Sequence, residues 1–218
     1  MTAGAAIALL SHELATPLSV LEGWAGLLAT TTDPDEREPA IDAMCRAARQ
    51  ISTVLDLVRD TAAADGDRLP IDARATWLRE PIAEAVAGCA DRFSHAIEVD
   101  VADVAVPLDA RRFTAALGNV LANVAKHVGR EAVVRIVTVE RDRVIELHVI
   151  DDGPGVPLDK LGVIFRRFGR ANRRVAGTGL GLYVARAIAR AHQGDLRYRR
   201  ATPSGGADFV FELPLHAR

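Results

Sequence analysis

The stretch Ser11-His12-Glu13-Leu14-Ala15-Thr16-Pro17-Leu18 lies in a long segment whose apolar residues recur at alternating steps of three and four. This period predicts one helix over residues 2–31, with an apolar seam formed by Ile7, Leu10, Leu14, Pro17, Leu21, Trp24 and Leu28. On such a helix His12, Thr16 and Ser19 share a face that points away from the seam. The pattern therefore predicts an exposed imidazole on a helix.

A second helical segment follows the turn Asp33-Pro34-Asp35, where proline suits the first helical position. Its apolar seam contains Ile41, Met44, Ala48, Ile51, Leu55, Val58 and Ala62. Together the two segments predict an all-α helical hairpin over residues 1–65. Because two helices cannot cover all of this apolar surface, we expect a second copy to complete a dimeric four-helix bundle.

The pattern changes after Asp65-Gly66-Asp67, which ends the second helix. In residues 66–218 short β-branched stretches alternate with helical ones, so we expect a multidomain chain whose second domain contains both α and β structure. Predicted helices cover residues 77–91, 109–127 and 180–192, and predicted strands cover residues 132–140, 143–150 and 208–213.

The composition is that of a soluble globular protein, with 49% hydrophobic and 26% charged residues among 218. A net charge of -2 gives no basis for a nucleic-acid partner, despite the arginines of residues 166–174. No segment reaches the roughly 18 apolar residues that span a bilayer. Cys45 and Cys89 form no zinc-binding spacing, so we expect both thiols to be buried in a reducing cytoplasm.

Glu13 directly follows His12 and can accept the proton of its ring, which would make the imidazole a nucleophile. The alternative is a solvated helix histidine with an accidental neighbour. Pro17 favours a functional interpretation, because a proline inside a helix costs about 3 kcal/mol and bends it one turn beyond His12.

Two further stretches carry polar groups suited to a nucleotide. Asn119, Asn123 and Lys126 share one helix edge, where amide oxygens can ligate Mg²⁺ and an ammonium can offset phosphate charge. Asp151-Asp152-Gly153-Pro154-Gly155 follows a predicted strand, and the Asp151 carboxylate can accept a hydrogen bond from the amine that adenine has and guanine lacks at that position. The alternative for the second stretch is an ordinary turn.

The stretch Gly177-Thr178-Gly179-Leu180-Gly181-Leu182 opens a predicted helix, where unpaired backbone N–H groups attract phosphates. Its glycine spacing fits neither the dinucleotide fingerprint nor a P-loop. Phe165 and Phe168 are expected to hold the preceding segment against the domain. We interpret the nearby arginines as neutralising phosphate, namely Arg166, Arg167, Arg170, Arg173 and Arg174.

In this order the five stretches resemble the H, N, G1, F and G2 boxes of bacterial sensor histidine kinases. The resemblance covers nearly the whole chain. It implies that residues 1–65 form the dimerisation and phosphoacceptor hairpin. It also implies that residues 66–218 form an ATP-binding catalytic domain, an α/β two-layer sandwich of the kind found in type II topoisomerases and a chaperone family. Mg²⁺ and ATP are the implied cofactors.

Position by position, the resemblance makes His12 the phosphoacceptor, Glu13 its acid or base partner, and Thr16 the residue that positions water for dephosphorylation. Asn123 corresponds to the Mg²⁺ ligand. The implied nucleotide-binding residues are Asn119, Asn123, Lys126, His127, Asp151, Gly153, Gly155, Phe168, Arg170, Gly177, Thr178, Gly179, Leu180 and Gly181. The expected function is autophosphorylation on His12, transfer to an aspartate of a response-regulator receiver domain, and dephosphorylation of that regulator.

The sequence departs from the family pattern at four places: Ala15 replaces a basic residue, His127 an aromatic one and Ala176 a glycine, and only six residues separate Arg170 from Gly177. These departures bear on nucleotide affinity more than on reaction type. Two alternatives stay open, a degenerate kinase that serves as a scaffold and an ATPase of the chaperone or topoisomerase type. We expect a cytoplasmic protein, or the cytoplasmic portion of a membrane receptor whose sensor lies elsewhere.

Overall fold

The computed structural model describes residues 3–65, 69–172, 175, 177–202 and 205–216. The chain divides into two compact units, Met1–Ala62 and Ala63–Arg218, which we describe separately. Among the described residues, no helix combines the length and the apolar character that a bilayer crossing requires.

The first unit is the predicted helical hairpin, made of α1 (Ala3–Thr30) and α2 (Pro34–Asp65). The turn between the helices is fixed by Asp33, whose side-chain Oδ1 accepts a hydrogen bond from the backbone N–H of Asp35 at 2.9 Å. This bond satisfies one of the N–H groups that a helix start leaves unpaired. Pro34 occupies the first helical position, as its fixed φ favours.

The face of α2 that α1 buries is offset by one residue from the predicted seam. Its apolar residues are Ala40, Ala47 and Val54, which repeat every seven residues and are at most 7% exposed. By contrast, Ile41 and Leu55 of the predicted seam are 48% and 54% exposed. Within one hairpin, α1 therefore covers one column of α2, meaning a row of residues that repeat every seven positions. The adjacent apolar column, which contains Ile41 and Leu55, stays exposed.

The second unit contains an α/β domain with three helices and two sheets among its described residues. The elements are β1 (Arg74–Trp77), α3 (Arg79–Ala87), β2 (Glu98–Asp100), β3 (Ala105–Leu108), α4 (Ala110–His127), β4 (Val134–Arg141), β5 (Val144–Asp151), α5 (Gly181–Ala191), β6 (Asp195–Thr202) and β7 (Gly205–Pro214). Single 3-10 turns lie at Ala90–Arg92 and Leu158–Lys160.

The main sheet has the strand order β2-β4-β5-β7-β6, with β2 parallel to β4 and the other pairs antiparallel. Strands β1 and β3 form a separate antiparallel pair. The helices pack on one face of the main sheet, where the rings of Phe113 on α4 and Phe211 on β7 meet edge to face at 5.3 Å. This arrangement confirms the predicted α/β sandwich.

Two predictions about this fold are wrong in part. The predicted helix over residues 77–91 begins at Arg79, because residues 74–77 pair with β3 as a strand. Strands β1, β2 and β3 were not predicted, because they have only three or four residues, too few to show the period of a strand. Cys89 is buried as expected, but Cys45 is exposed on α2 because it faces away from α1.

Candidate active site

The hairpin presents His12 on an open face of α1, as the sequence predicts. His12 and Thr16 are exposed, Glu13 is half-buried, and Pro17 is buried on the opposite side. No described residue hydrogen-bonds to the Thr16 hydroxyl, whereas the hydroxyl of Thr61 donates to the carbonyl four residues earlier. The Thr16 hydroxyl is therefore available to an incoming group.

An open groove of about 450 Å³ begins at Thr16 and runs between the two helices. Its lining comes from Thr16, Pro17, Val20 and Trp24 on α1, and from Ala43, Arg46, Ala47 and Gln50 on α2. The groove therefore lies between the part of α1 that begins one turn after His12 and residues 43–50 of α2.

The second unit holds the other candidate residues, beginning with the polar edge of α4. The helix starts at a defined point because the Asp109 carboxylate accepts a hydrogen bond from the Arg112 N–H at 3.1 Å. Asn119 and Asn123 are half-buried, and Lys126 lies exposed in the last turn. An apolar face with these amides at its edge gives α4 a fixed orientation on the domain.

The glycine stretch lies against this polar edge. A methyl group built on Gly181 would lie 3.7 Å from Oδ1 of Asn119, and one built on Gly177 would clash with Nζ of Lys126. Gly177 also has a φ of +141°, which disfavours any side chain. The structure therefore brings together the amide, the ammonium and the glycines that the sequence singles out.

The same stretch also contacts the segment that contains Phe168. A methyl group on Gly179, whose φ is +68°, would lie 2.7 Å from the carbonyl oxygen of Gly169. The Thr178 hydroxyl accepts a hydrogen bond from the N–H of Leu180 at 3.2 Å, just before α5 begins. Arg170 donates to the carbonyl of Val175. Arg173, Arg174 and Ala176 lie outside the described residues.

Asp151 ends β5 and is only 4% exposed. The backbone N–H groups of Gly153 and Ala207 both donate to its Oδ1, at 3.0 and 3.1 Å. Burial raises the pKa of this carboxyl group, and the two hydrogen bonds partly offset the effect. Because both donors reach Oδ1, the other oxygen is the one placed to accept a hydrogen bond from a ligand.

Two residues that the sequence analysis did not single out hold this turn in place. The N–H of Gly206 donates to the carbonyl of Gly153 at 2.6 Å, and the Tyr198 hydroxyl accepts from the N–H of Val156 at 2.8 Å. Gly206 has a φ of +81°. The adjacent pair Gly205-Gly206 at the start of the last strand was the available sequence signal for a special turn.

His127 ends α4 beside two cations. Partial burial of its ring lowers the pKa, and the charges of Lys126 and Arg170 lower it further. The surroundings of His127 are therefore positive, which suits an anionic ligand.

Comparisons with known proteins match both units. Residues 3–66 match the family described as His Kinase A (phospho-acceptor) domain, and residues 108–217 match Histidine kinase-, DNA gyrase B-, and HSP90-like ATPase. The chain is 31% identical to the probable sensor histidine kinase TcrY of Mycobacterium tuberculosis over 94% of its length, and 30% identical to AfsQ2 of Streptomyces coelicolor over 95%. It spans 44% and 41% of these two relatives.

Solved structures show the same fold. The mycobacterial sensor histidine kinase MprB is 29% identical, with a TM-score of 0.61 over 66% of this chain and 100% of that one. The Acinetobacter baumannii kinase AdeS is 21% identical and resembles the chain in fold, with a TM-score of 0.67 over 94% of this chain and 98% of AdeS. The two family matches, which together cover most of the chain, show that it belongs to the histidine kinase family.

Proposed function

We propose that the chain is an ATP-dependent protein-histidine kinase that phosphorylates itself on His12. The observation that carries this proposal is the contact of the α4 edge with the glycine stretch, Asn119 against Gly181 and Lys126 against Gly177. An amide and an ammonium thus lie beside the first turn of α5, whose backbone N–H groups have no partner within the helix, and such a combination suits phosphate.

In this proposal Asp151 selects the nucleotide. Its second oxygen accepts a hydrogen bond from the adenine amine, while Gly153 and Ala207 hold Oδ1. Lys126 and Arg170 offset the phosphate charge. In the described part of the chain, no group of three or more acidic, histidine or cysteine side chains is arranged to hold a metal ion. The amide oxygen of Asn123 would hold Mg²⁺ together with phosphate oxygens, and the ion would supply further charge neutralisation.

His12 is the nucleophile. Glu13 accepts the proton of its ring as an imidazole nitrogen bonds to the γ-phosphorus. The bond from that phosphorus to the bridging oxygen breaks, and ADP leaves with the bonding electrons. Catalysis in such a transfer is mostly positioning and charge stabilisation, which agrees with the close contacts of Gly177 and Gly179 in the proposed nucleotide site.

We further propose that the phosphoryl group passes from His12 to an aspartate of a response-regulator receiver domain. The groove between α1 and α2 supports this step, because it is open and begins one turn from His12. Thr16 would then position the water that removes the phosphate from the regulator. A homodimer is supported by the apolar residues that the hairpin leaves exposed, namely Leu18, Val20, Ile41 and Leu55.

Incubation of the full chain with Mg²⁺ and γ-labelled ATP tests the kinase assignment. His12→Gln should bind ATP like the wild type and incorporate no label, because acceptor and nucleotide residues lie in different units. Label that persists in this variant would exclude His12 as the acceptor. Failure of the wild-type chain to bind ATP would instead favour the scaffold alternative.

A further inference from the structure

The outer face of the main sheet carries buried charges. The helices cover the opposite face, so polar side chains on the outer face should meet water. Glu146, His148 and Asp208 nevertheless are each only 8% exposed. Burial of charged groups is costly unless they are paired, and the three residues pair with one another and with Arg199. We call these four residues the outer-face cluster.

The cluster links neighbouring strands through short contacts. Nδ1 of His148 on β5 donates to the Asp208 carboxylate on β7 at 3.0 Å. Arg199 reaches across from β6 and donates to Oε1 of Glu146 at 3.0 Å. Nε2 of His148 faces Oε2 of Glu146 at 3.4 Å, and neither atom has a hydrogen-bond partner among the described residues. The bond from His148 to Asp208 thus joins β5 and β7 through side chains on this face.

The hydrogen bond between His148 and Asp208 lies near the end of the main sheet at which Asp151, the proposed adenine-binding residue, is located. The pairing of β5 with β7 ends at Ile150 and Asp208. One residue further, the Ala207 N–H donates to the side chain of Asp151 instead of to a backbone carbonyl. The position of the Asp151 carboxylate therefore depends on the position of Ile150 and Asp208, the last pair of residues in β5 and β7. The Asp208 side chain fixes this pair through its hydrogen bond on the outer face.

We propose that Asp208 and His148 are positioning residues for base recognition, which act through the last pair of β5 and β7 to aim the Asp151 carboxylate. This inference rests on the proposed ATP site. It predicts that loss of the hydrogen bond between His148 and Asp208 weakens recognition of the adenine amine, although neither residue touches the nucleotide.

The test compares binding of ATP and inosine triphosphate, which carries an oxygen in place of the amine, to the full chain by calorimetry. Wild type should prefer ATP. Asp208→Ala should lower this preference about tenfold, the effect expected from a displaced charged hydrogen bond, while affinity for inosine triphosphate stays unchanged. Asp208→Asn keeps an acceptor for His148 and should restore the preference. A merely structural role would lower the melting temperature and change both affinities in parallel.

Glu212→Gln is the matched control, because Glu212 lies on the same face of β7 and pairs with Arg197 at 2.9 Å, away from Asp151. It should keep the wild-type preference, and an equal loss in this variant would overturn the inference. An unchanged preference in folded Asp208→Ala would also overturn it. If Asp208→Ala does not fold, His148→Gln provides the same readout. Absence of any ATP preference in wild type would overturn the proposed adenine contact itself, together with this inference.

Discussion

Thr16 lies one helical turn beyond His12 on the same exposed face of α1, with its hydroxyl unbonded among the described residues. A hydroxyl in this place can orient a water molecule without taking part in the attack on ATP. We predict that Thr16→Ala retains self-phosphorylation and loses on the order of 10²-fold in dephosphorylation of a phosphorylated receiver domain. Both rates are measured on one preparation.

Thr16→Ser is the control, because it keeps the hydroxyl and should retain both activities. The competing explanation is that Thr16 stabilises the helix at Pro17 by bonding a backbone carbonyl. In that case Thr16→Ala would lower the melting temperature and reduce both activities equally, and the water-positioning role would be withdrawn.

His192 links the end of α5 to the start of α4 and must be neutral to do so. Its Nδ1 donates to the carbonyl of Ile188 at 2.8 Å, and its Nε2 accepts from the N–H of Asp109 at 2.9 Å. Burial lowers the pKa of His192 from 6.5, and its contacts with Ile188 and Asp109 offset this only in part. A protonated ring would lose the bond to Asp109.

The folded protein therefore binds this proton less tightly than the unfolded chain. The stabilisation is complete above pH 6.5 and is lost as the pH falls toward the pKa of the folded state. We predict that the free energy of unfolding, measured with urea, falls more between about pH 7.5 and about pH 5.5 in wild type than in His192→Gln, which cannot ionise. Equal losses in the two proteins would contradict this assignment.

Single residues of the site were predictable where the signal is local. Asp151 could be placed at a strand end because it follows an apolar run and precedes a glycine turn. Its donor Ala207 could not be found, since it lies 56 residues away and meets Asp151 only through the pairing of β5 with β7. The outer-face cluster escaped prediction for the same reason.

At the scale of elements, α2 carries two adjacent heptad columns with different surroundings. Ala40, Ala47 and Val54 are buried against α1, whereas Ile41 and Leu55 are exposed. Sequence periodicity places a seam within one position, but it cannot say which column a given partner helix covers, because both repeat every seven residues. The exposed column is the surface that we assign to a second copy of the chain.

Leu55→Asp tests this assignment. A carboxylate in the centre of an apolar interface is costly to bury, so we expect the variant to be a monomer at concentrations at which wild type is a dimer. Light scattering measures the mass. Thr53→Asp, also at an exposed position of α2 but on a different face of the helix, should remain dimeric. A dimeric Leu55→Asp protein would place the interface elsewhere.

At the scale of the whole molecule, the proposed reaction draws on both units. In this proposal the phosphoacceptor lies in the hairpin, and the groups that would face the phosphates and the adenine lie in the α/β domain. The hairpin and α4 were predictable because long helices repeat their apolar pattern many times. Strand β6 was not, since its residues alternate with arginines on a charged outer face and resemble a polar loop.

The central claim is that ATP bound by the α/β domain phosphorylates His12. The most direct measurement is the location of the phosphate, by peptide mapping of the full chain after incubation with Mg²⁺ and ATP under conditions that preserve acid-labile phosphohistidine. We expect phosphate on the peptide that contains His12 and none on that peptide in His12→Gln. Phosphate found on another residue, or an unmodified His12 in a chain that binds ATP, would contradict it.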